Sequence, residues 1–379
     1  MSGTVTVKLG DRPAEVLVGP GQGRSLYVGP EPPAGLPGIR VDHAAELDWR
    51  ALDALESLAD LHYAGDDETL VRYLAGRPGI SSLSWAPATL TSIDPTATSL
   101  TRLVLTNAGT LETVALPEAT HFLSLVGVVA GLRVSSSRSP ASELGLTCQF
   151  SRVAAVEPVA GLEDAARSVT VWQCGSLDLR ALEAHAAMRD LHVVETPVEG
   201  LEALTRLPGL RAVWLQDCYD LDLSGLPATD SLAGLEELRL DGVREADADQ
   251  VRVRWDPHPR VKVQRARSVD WLLKNHDDPF REWGDEAPDG TAGRTATGAT
   301  RAWRGALTAL AKAAPDDGDG ARAALSEFVE AFNALDERHH DIDTIRAEQI
   351  AEAFELLVTR HPALTPDDHD RIFERLRSF

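Results

Sequence analysis

One spacing constrains this chain more than any other feature. A pair of apolar residues, two positions apart, returns every 20 to 25 residues through most of the first 265 positions. The phase is set by Met188-Arg-Asp-Leu191-His-Val193, followed by Thr196, Val198, Leu201, Leu204, Leu207 and Leu210. Outward from there the pairs are Ile39/Val41, Leu61/Tyr63, Leu83/Trp85, Leu103/Leu105, Leu123/Leu125 and Leu144/Leu146. They continue as Val169/Val171, Leu191/Val193, Val213/Leu215, Leu238/Leu240 and Val261/Val263. Residues two apart share one face of a short strand, so each pair points into a core while the residue between them faces out. A single repeat of this length cannot bury its apolar side, but stacked neighbours make a continuous core. The leading apolar position is filled at Leu36, Leu58, Ile80, Leu100, Met188, Leu210 and Leu235. It is small or polar at Thr120, Ala141, Ala166 and His258, so the phase is weakest over residues 120–168.

An LxxLxL core followed by apolar residues at every third position resembles the leucine-rich repeat, with a spacing similar to the 22-residue internalin-like type of bacterial proteins. The resemblance implies an α/β solenoid: a right-handed superhelix with parallel strands on a concave face and return segments on the convex side. The position three residues after each pair needs a small polar group to satisfy turn carbonyls, and holds Cys174, Thr196 and Cys218. Cys148 falls one place off that column.

An open solenoid needs capped ends. Residues 1–35 read as an N-terminal β cap, with strands at Thr4–Leu9, Glu15–Val18 and Ser25–Val28 between Gly/Pro turns. Residues 36–267 are the solenoid, and 268–283 a C-terminal cap helix opened by Ser268, with Trp271, Phe280 and Trp283 plugging the last repeat. Residues 284–300 lack apolar periodicity and read as a linker; 301–379 form a C-terminal α-helical domain. Its core is expected from Leu325, Phe328, Phe332, Leu335, Ile345, Ile350, Phe354, Leu357, Ile372, Phe373 and Leu376, with a last helix capped at Thr365-Pro-Asp-Asp368. The stretch Phe328–Leu335 followed by Ile342–Ile345 resembles a small helical module of bacterial proteins found near toxin systems. That implies an immunity-type inhibitor.

The formal charge of −22 opposes nucleic acid and anionic membranes, so neither is expected as a partner. Three cysteines without short spacings fit a reducing compartment. The first residues show no signal peptide, and the run Phe122–Leu132 is too short to span a bilayer. The expectation is a cytoplasmic monomer with no cofactor and no metal. Asp316-Asp-Gly-Asp319-Gly reads as a helix–helix turn rather than a calcium loop, because glycine or alanine falls on ligand positions. His339-His340-Asp341-Ile-Asp343 is the one candidate acid–base cluster, and carries the alternative reading of an enzyme or enzyme subunit. No phosphate loop, nucleophile elbow or zinc helix is present, and Gly19-Pro-Gly-Gln-Gly23 reads as a turn. Val251, Val253 and Trp255 alternate with Arg252 and Arg254 as a half-buried strand does, inside a basic stretch that ends at Arg267. That stretch suits a charged terminal strand, or docking to an acidic partner or to the helical domain.

The residues inside the pairs form an outward column: Arg40, His62, Ser84, Val104, Ser124, Gly145, Thr170, His192, Trp214, Arg239 and Lys262. The column just after the pairs is Asp42, Ala64, Ala86, Thr106, Val126, Thr147, Trp172, Val194, Gln216, Asp241 and Gln264. Small residues give way to large ones at Trp172. Trp and Arg anchor interfaces because they remove large areas from water while keeping directional bonds. The expected function is therefore non-catalytic binding of a protein partner through Trp172, His192, Trp214, Gln216, Glu237, Arg239 and Asp241.

Overall fold

Alternation decides the first part of the structure. The computed structural model describes residues 3–10, 13–18, 23–30, 36–127, 131–136, 145–219, 221, 223–232, 234–255, 261–284, 291–365 and 367–379. The chain divides into two compact units, Met1–Arg267 and Ser268–Phe379.

The strands of the first unit begin with β1 (Gly3–Val7), β2 (Ala14–Val18), β3 (Ser25–Gly29), β4 (Gly38–Arg40), β5 (Asp60–Ala64) and β6 (Ser82–Ala86). Next come β7 (Ser92–Ile93), β8 (Arg102–Thr106), β9 (Thr113–Leu116), β10 (Phe122–Val126), β11 (Arg133–Ser136), β12 (Leu146–Ser151) and β13 (Ala166–Trp172). The series closes with β14 (Leu177–Asp178), β15 (Asp190–Val194), β16 (Val198–Glu199), β17 (Ala212–Gln216), β18 (Glu237–Asp241) and β19 (Val261–Gln264). Twelve of these form one parallel sheet in the order β19-β18-β17-β15-β13-β12-β10-β8-β6-β5-β3-β4. The return segments carry short parallel pairings of their own, β11-β9-β7 and β14-β16, together with 3-10 turns such as Trp49–Ala54 and Leu201–Arg206. The pairs of neighbouring strands lie opposite one another: Leu191 beside Val169 and Val213, Leu238 beside Val213 and Val261. Leu191 and Val193 are buried while His192 between them is half-buried, as alternation requires.

A second ladder follows each strand of the main sheet from β8 to β19. Asn107, Gly127, Arg152, Gln173, Glu195, Asp217, Gly242 and Arg265 stand two residues beyond the second buried member, all with φ between 45° and 75°. From Asn107 to Gly242, each of their amides donates to the carbonyl of the last residue of the next strand, at 2.7 to 3.1 Å. A non-glycine residue in this left-handed region costs about 1 kcal/mol or more, and the relayed hydrogen bond is what holds it there. Cys174 and Cys218 sit one place further on, with Sγ 3.5 Å from the Trp172 carbonyl and 3.4 Å from the Gln216 carbonyl. Thr196 does the same with Oγ1, 2.9 Å from the Val194 carbonyl, while accepting from the Cys174 amide. Burial pushes the Cys148 and Cys218 thiols up to about 12 and raises that of Cys174, so none is a thiolate near neutrality.

The sheet corrects the expected phase in three places. The repeat assigned to Leu144/Leu146 is built on Cys148/Phe150, which lie opposite Leu123/Leu125 and Val169/Val171. Leu144 is outside the described residues, Leu146 opens the strand at an irregular register, and Cys148 is a strand-core residue. Gln149 and Ser151 therefore replace Gly145 and Thr147 in the outward columns. The second correction concerns the expected cap. Only β1 and β2 form a separate antiparallel hairpin; β3 joins the main sheet through Leu26 and Val28, beside Leu61 and Tyr63. The Ile39 strand is the sheet edge outside β3, and Tyr27 takes the place expected of Arg40. Third, residues 245–255 are a helix. After α1 (Thr69–Ala75), α2 (Glu245–Trp255) buries Ala248, Val251 and Trp255 at helical spacing and leaves Val253 83% exposed. Arg260 and His258 lie outside the described residues, as do Gly19 to Gln22 of the glycine-rich turn.

The second unit contains α3 (Val269–Asn275), α4 (Thr291–Lys312), α5 (Gly318–His339), α6 (Thr344–Thr359) and a π-helical turn at His369–Glu374. Ser268 caps α3 by accepting from the Trp271 amide at 3.2 Å. Residues 285–290 of the expected linker are outside the described residues, and 291–300 are the first turns of α4. Alanine and threonine, lacking an obvious apolar stripe, still bury Ala296 and Ala299 and form helix. Phe280 and Trp283, expected as a plug for the last repeat, belong to this unit's own core with Trp303, Phe328, Phe332 and Phe354. Trp271 is half-buried. The expected core residues are in place, Leu376 at its margin, except that Ile345 is 67% exposed in the first turn of α6. Among the described residues no helix is long and apolar enough to cross a membrane.

Candidate functional site

The outward face of the main sheet reads, strand by strand from β3 to β19, Tyr27, His62, Ser84, Val104, Ser124, Gln149, Thr170, His192, Trp214, Arg239 and Lys262. Alternation turns one residue of each strand to this face, Ser124 alone among them being buried, so its chemistry is set by which residues the sequence places between buried pairs.

The seven expected residues lie on four adjacent strands, β13 to β18. His192 and Trp214 are opposite each other, their rings edge to face with centroids 5.4 Å apart. Trp214 is 39% exposed, between His192 and Arg239 on the neighbouring strands. Its indole N–H donates to Glu237, and Lys262 donates to the same carboxylate at 2.7 Å. The Lys262 ammonium holds the Glu237 carboxyl below its ordinary range. Gln216 bonds His192, and burial together with the charge of Arg239 lowers the imidazole's pKa, so the ring is neutral at pH 7. Trp172 carries the Arg152 guanidinium over its ring at 5.6 Å. Arg239 donates to Asp241 at 3.2 Å and to Gln264 at 2.9 Å.

Asp241 plays a different part from the one expected. It is 8% exposed and accepts from Arg265 at 2.6 Å, whose guanidinium also stands 3.6 Å from buried Asp217. Tyr219 donates to Asp217 at 3.0 Å. This carboxylate–arginine relay neutralises two acids, Asp217 in the turn column and Asp241 at the end of β18, where a lone buried charge would be costly. Asp217, Tyr219 and Arg265 lie outside the expected set; their recurrence two to four residues after a strand pair was the available signal.

A second column was equally legible. Arg167, Arg189 and Arg211 each stand two residues before the first aliphatic of the pairs Val169/Val171, Leu191/Val193 and Val213/Leu215. The residues of the alternative cluster in the second unit stand at helix ends. His340 terminates α5 in the left-handed region, Asp343 caps α6 by accepting from the Arg346 amide at 2.9 Å, and Asp341 pairs with the Arg346 side chain. Asp317 likewise caps α5, accepting from the Gly320 amide at 2.9 Å.

No protein-family model matches the chain, and no curated protein matches it.

Proposed function

We propose that the first unit is a leucine-rich-repeat solenoid that recognises a protein partner on its strand face, without catalysis. The in-register aliphatic pairs, the left-handed turn after each main-sheet strand from β8 onward and the varied return segments support that architecture. One observation carries the function: Trp214 on β17, 39% exposed and edge-on to His192, and Trp172 on β13 stand on either side of β15. Trp172 and Trp214 are two strand spacings apart, roughly 10 Å, a span that one partner element covers. An exposed indole contributes little to folding, whereas desolvated between two proteins it is the commonest kind of anchor.

The test begins with capture from host lysate using the full chain, followed by calorimetry with each captured protein. Trp214→Ala should weaken a true partner by about 2 kcal/mol or more while leaving the melting temperature nearly unchanged. Unchanged affinity of Trp172→Ala and Trp214→Ala for every captured protein removes this face from consideration. Loss of folding would make the tryptophans structural.

A further inference from the structure

In an acidic chain, α4 is the exception. Its 22 residues hold Arg294, Arg301, Arg304 and Lys312 and no acid, within a chain of formal charge −22. One side of the helix forms an open groove of about 620 Å³, whose lining includes Arg301, Arg304, Gly305, Ala309 and Lys312. Separations of three, four and eleven residues place these five on one helical face. Among the described residues neither Arg301 nor Lys312 has a hydrogen-bond or ion-pair partner. Arg304 donates to neutral oxygens, the Lys274 carbonyl at 2.5 Å and the Asn275 side chain at 3.4 Å. No described carboxylate answers this face.

Gly305 is an independent sign. Glycine inside a helix is destabilising relative to alanine, and its use there is close approach by a neighbour. Gly298 shows that use, since a Cβ added to it would stand 2.4 Å from Leu335 of α5. A Cβ on Gly305 would meet nothing within 4 Å among the described residues. The chain itself gives this glycine no neighbour, whereas a helix seated in the groove does.

A matching surface lies on α6. Ile345 and Leu356 are 67% and 49% exposed, and the exposed Glu348 and Glu355 share their helical face at separations of three, seven and eleven residues. Neither glutamate has a partner among the described residues. We propose that the α4 groove of one chain takes α6 of a second copy of this chain. Ile345 and Leu356 then cover Gly305 and Ala309, and Glu348 and Glu355 meet Arg301 and Lys312. The lengths agree. Arg301 and Lys312 are about 16.5 Å apart along their axis, as are Ile345 and Leu356, and the glutamates are about 10.5 Å apart. Centred on one another, the charges differ by about 3 Å at each end, within reach of a long basic side chain. Small residues in the groove bring helix axes to the short end of their usual separation, about 8 Å. The negative charge of both copies opposes association at long range. At physiological salt that repulsion is screened beyond about 8 Å, while pairs in contact keep their attraction. Any acidic helix satisfies the cations, but the second copy also covers two aliphatics that α6 leaves in water. The contact joins two different faces, so it closes a dimer if formed twice and builds larger assemblies if formed once. The chain so read is not the monomer that the sequence suggests.

The experiment uses the full chain in analytical ultracentrifugation over a wide concentration range at physiological salt. Wild type should show a reversible, concentration-dependent rise in mass. A variant carrying Arg301→Glu with Lys312→Glu, and another carrying Glu348→Lys with Glu355→Lys, should each weaken self-association about tenfold or more. Circular dichroism and melting should be unchanged, since all four side chains are exposed. An equimolar mixture of the two variants should associate again, because the acidic α4 of one meets the basic α6 of the other while their unaltered faces remain complementary. Gly305→Leu fills the groove and should abolish association without lowering the melting temperature. A wild-type monomer at every concentration overturns the proposal, even if α4 captures another acidic protein. Association that survives both charge reversals, or a mixture that stays monomeric, overturns it equally.

Discussion

His185 shows how one residue ties the interior to pH. It is 1% exposed, its Nδ1 is 3.4 Å from the Leu162 carbonyl, and its Nε2 has no hydrogen-bond partner among the described residues. Burial lowers its pKa below the ordinary 6.5, because an imidazolium in an apolar site loses its hydration. The unfolded chain therefore takes up this proton first as pH falls. The stability it contributes is fully present above 6.5 and is lost as pH drops from there toward the lowered folded value. Urea unfolding of wild type and His185→Gln at pH 7.5 and 5 should show a smaller acid loss in the variant. His62 and His192, shifted in the same direction by burial, leave a remainder in both. Equal acid losses in the two proteins would show that His185 is not the titrating group. The residue scale also explains what the sequence hid at Cys148. Its thiol is small and apolar enough to fill a position held elsewhere by Leu or Val, so the Leu144/Leu146 spacing looked equally good.

At the scale of the element, period decides between strand and helix, and short windows carry too few turns to separate them. Val251-Arg-Val253-Arg-Trp255 alternates perfectly over five residues. The longer span from Ala248 buries positions 248, 251 and 255, and the acids of the first turn favour a helix start there. Where neighbouring repeats supply a partner strand, the alternation is reliable. Leu191→Ala should therefore cost about 3 kcal/mol by removing a buried side chain between two strands. His192→Ala, one residue along on the outward face, should cost less than about 1 kcal/mol. Denaturant midpoints check both. Comparable losses would mean that the outward row is as structural as the inward one.

At the scale of the molecule, the fully buried hydrophobic residues among those described separate into two cores with no shared member, one running to Trp255 and the other beginning at Phe280. The second is dense in aromatic contacts: Phe280 lies within 6.5 Å of Trp283, Trp303, Phe328 and Phe332. It also buries Asp368, which accepts from Arg322 at 2.9 Å and from the Thr365 amide at 2.8 Å. A core complete within its own segment folds without the rest of the chain. Residues 268–379 expressed alone should give a helical circular dichroism spectrum and a cooperative melt, whereas a fragment starting at 291 should lose stability with Phe280 and Trp283. An unfolded 268–379 fragment would mean that its helices depend on the first unit.

The sequence by itself determined the parallel sheet and most of its register, because pairs of aliphatics at fixed spacing leave a strand only one way to bury them. It also located the aromatic end of the outward face and most of the helical core. Tertiary structure alone decided which of two candidate pairs enters the sheet at residues 144–150, and that Leu26 rather than Ile39 lies beside Leu61. It decided too that Phe280 and Trp283 turn toward the helices. In each case several apolar residues satisfied the local pattern equally, and the choice fell to the neighbour that each could be packed against, which no local spacing records.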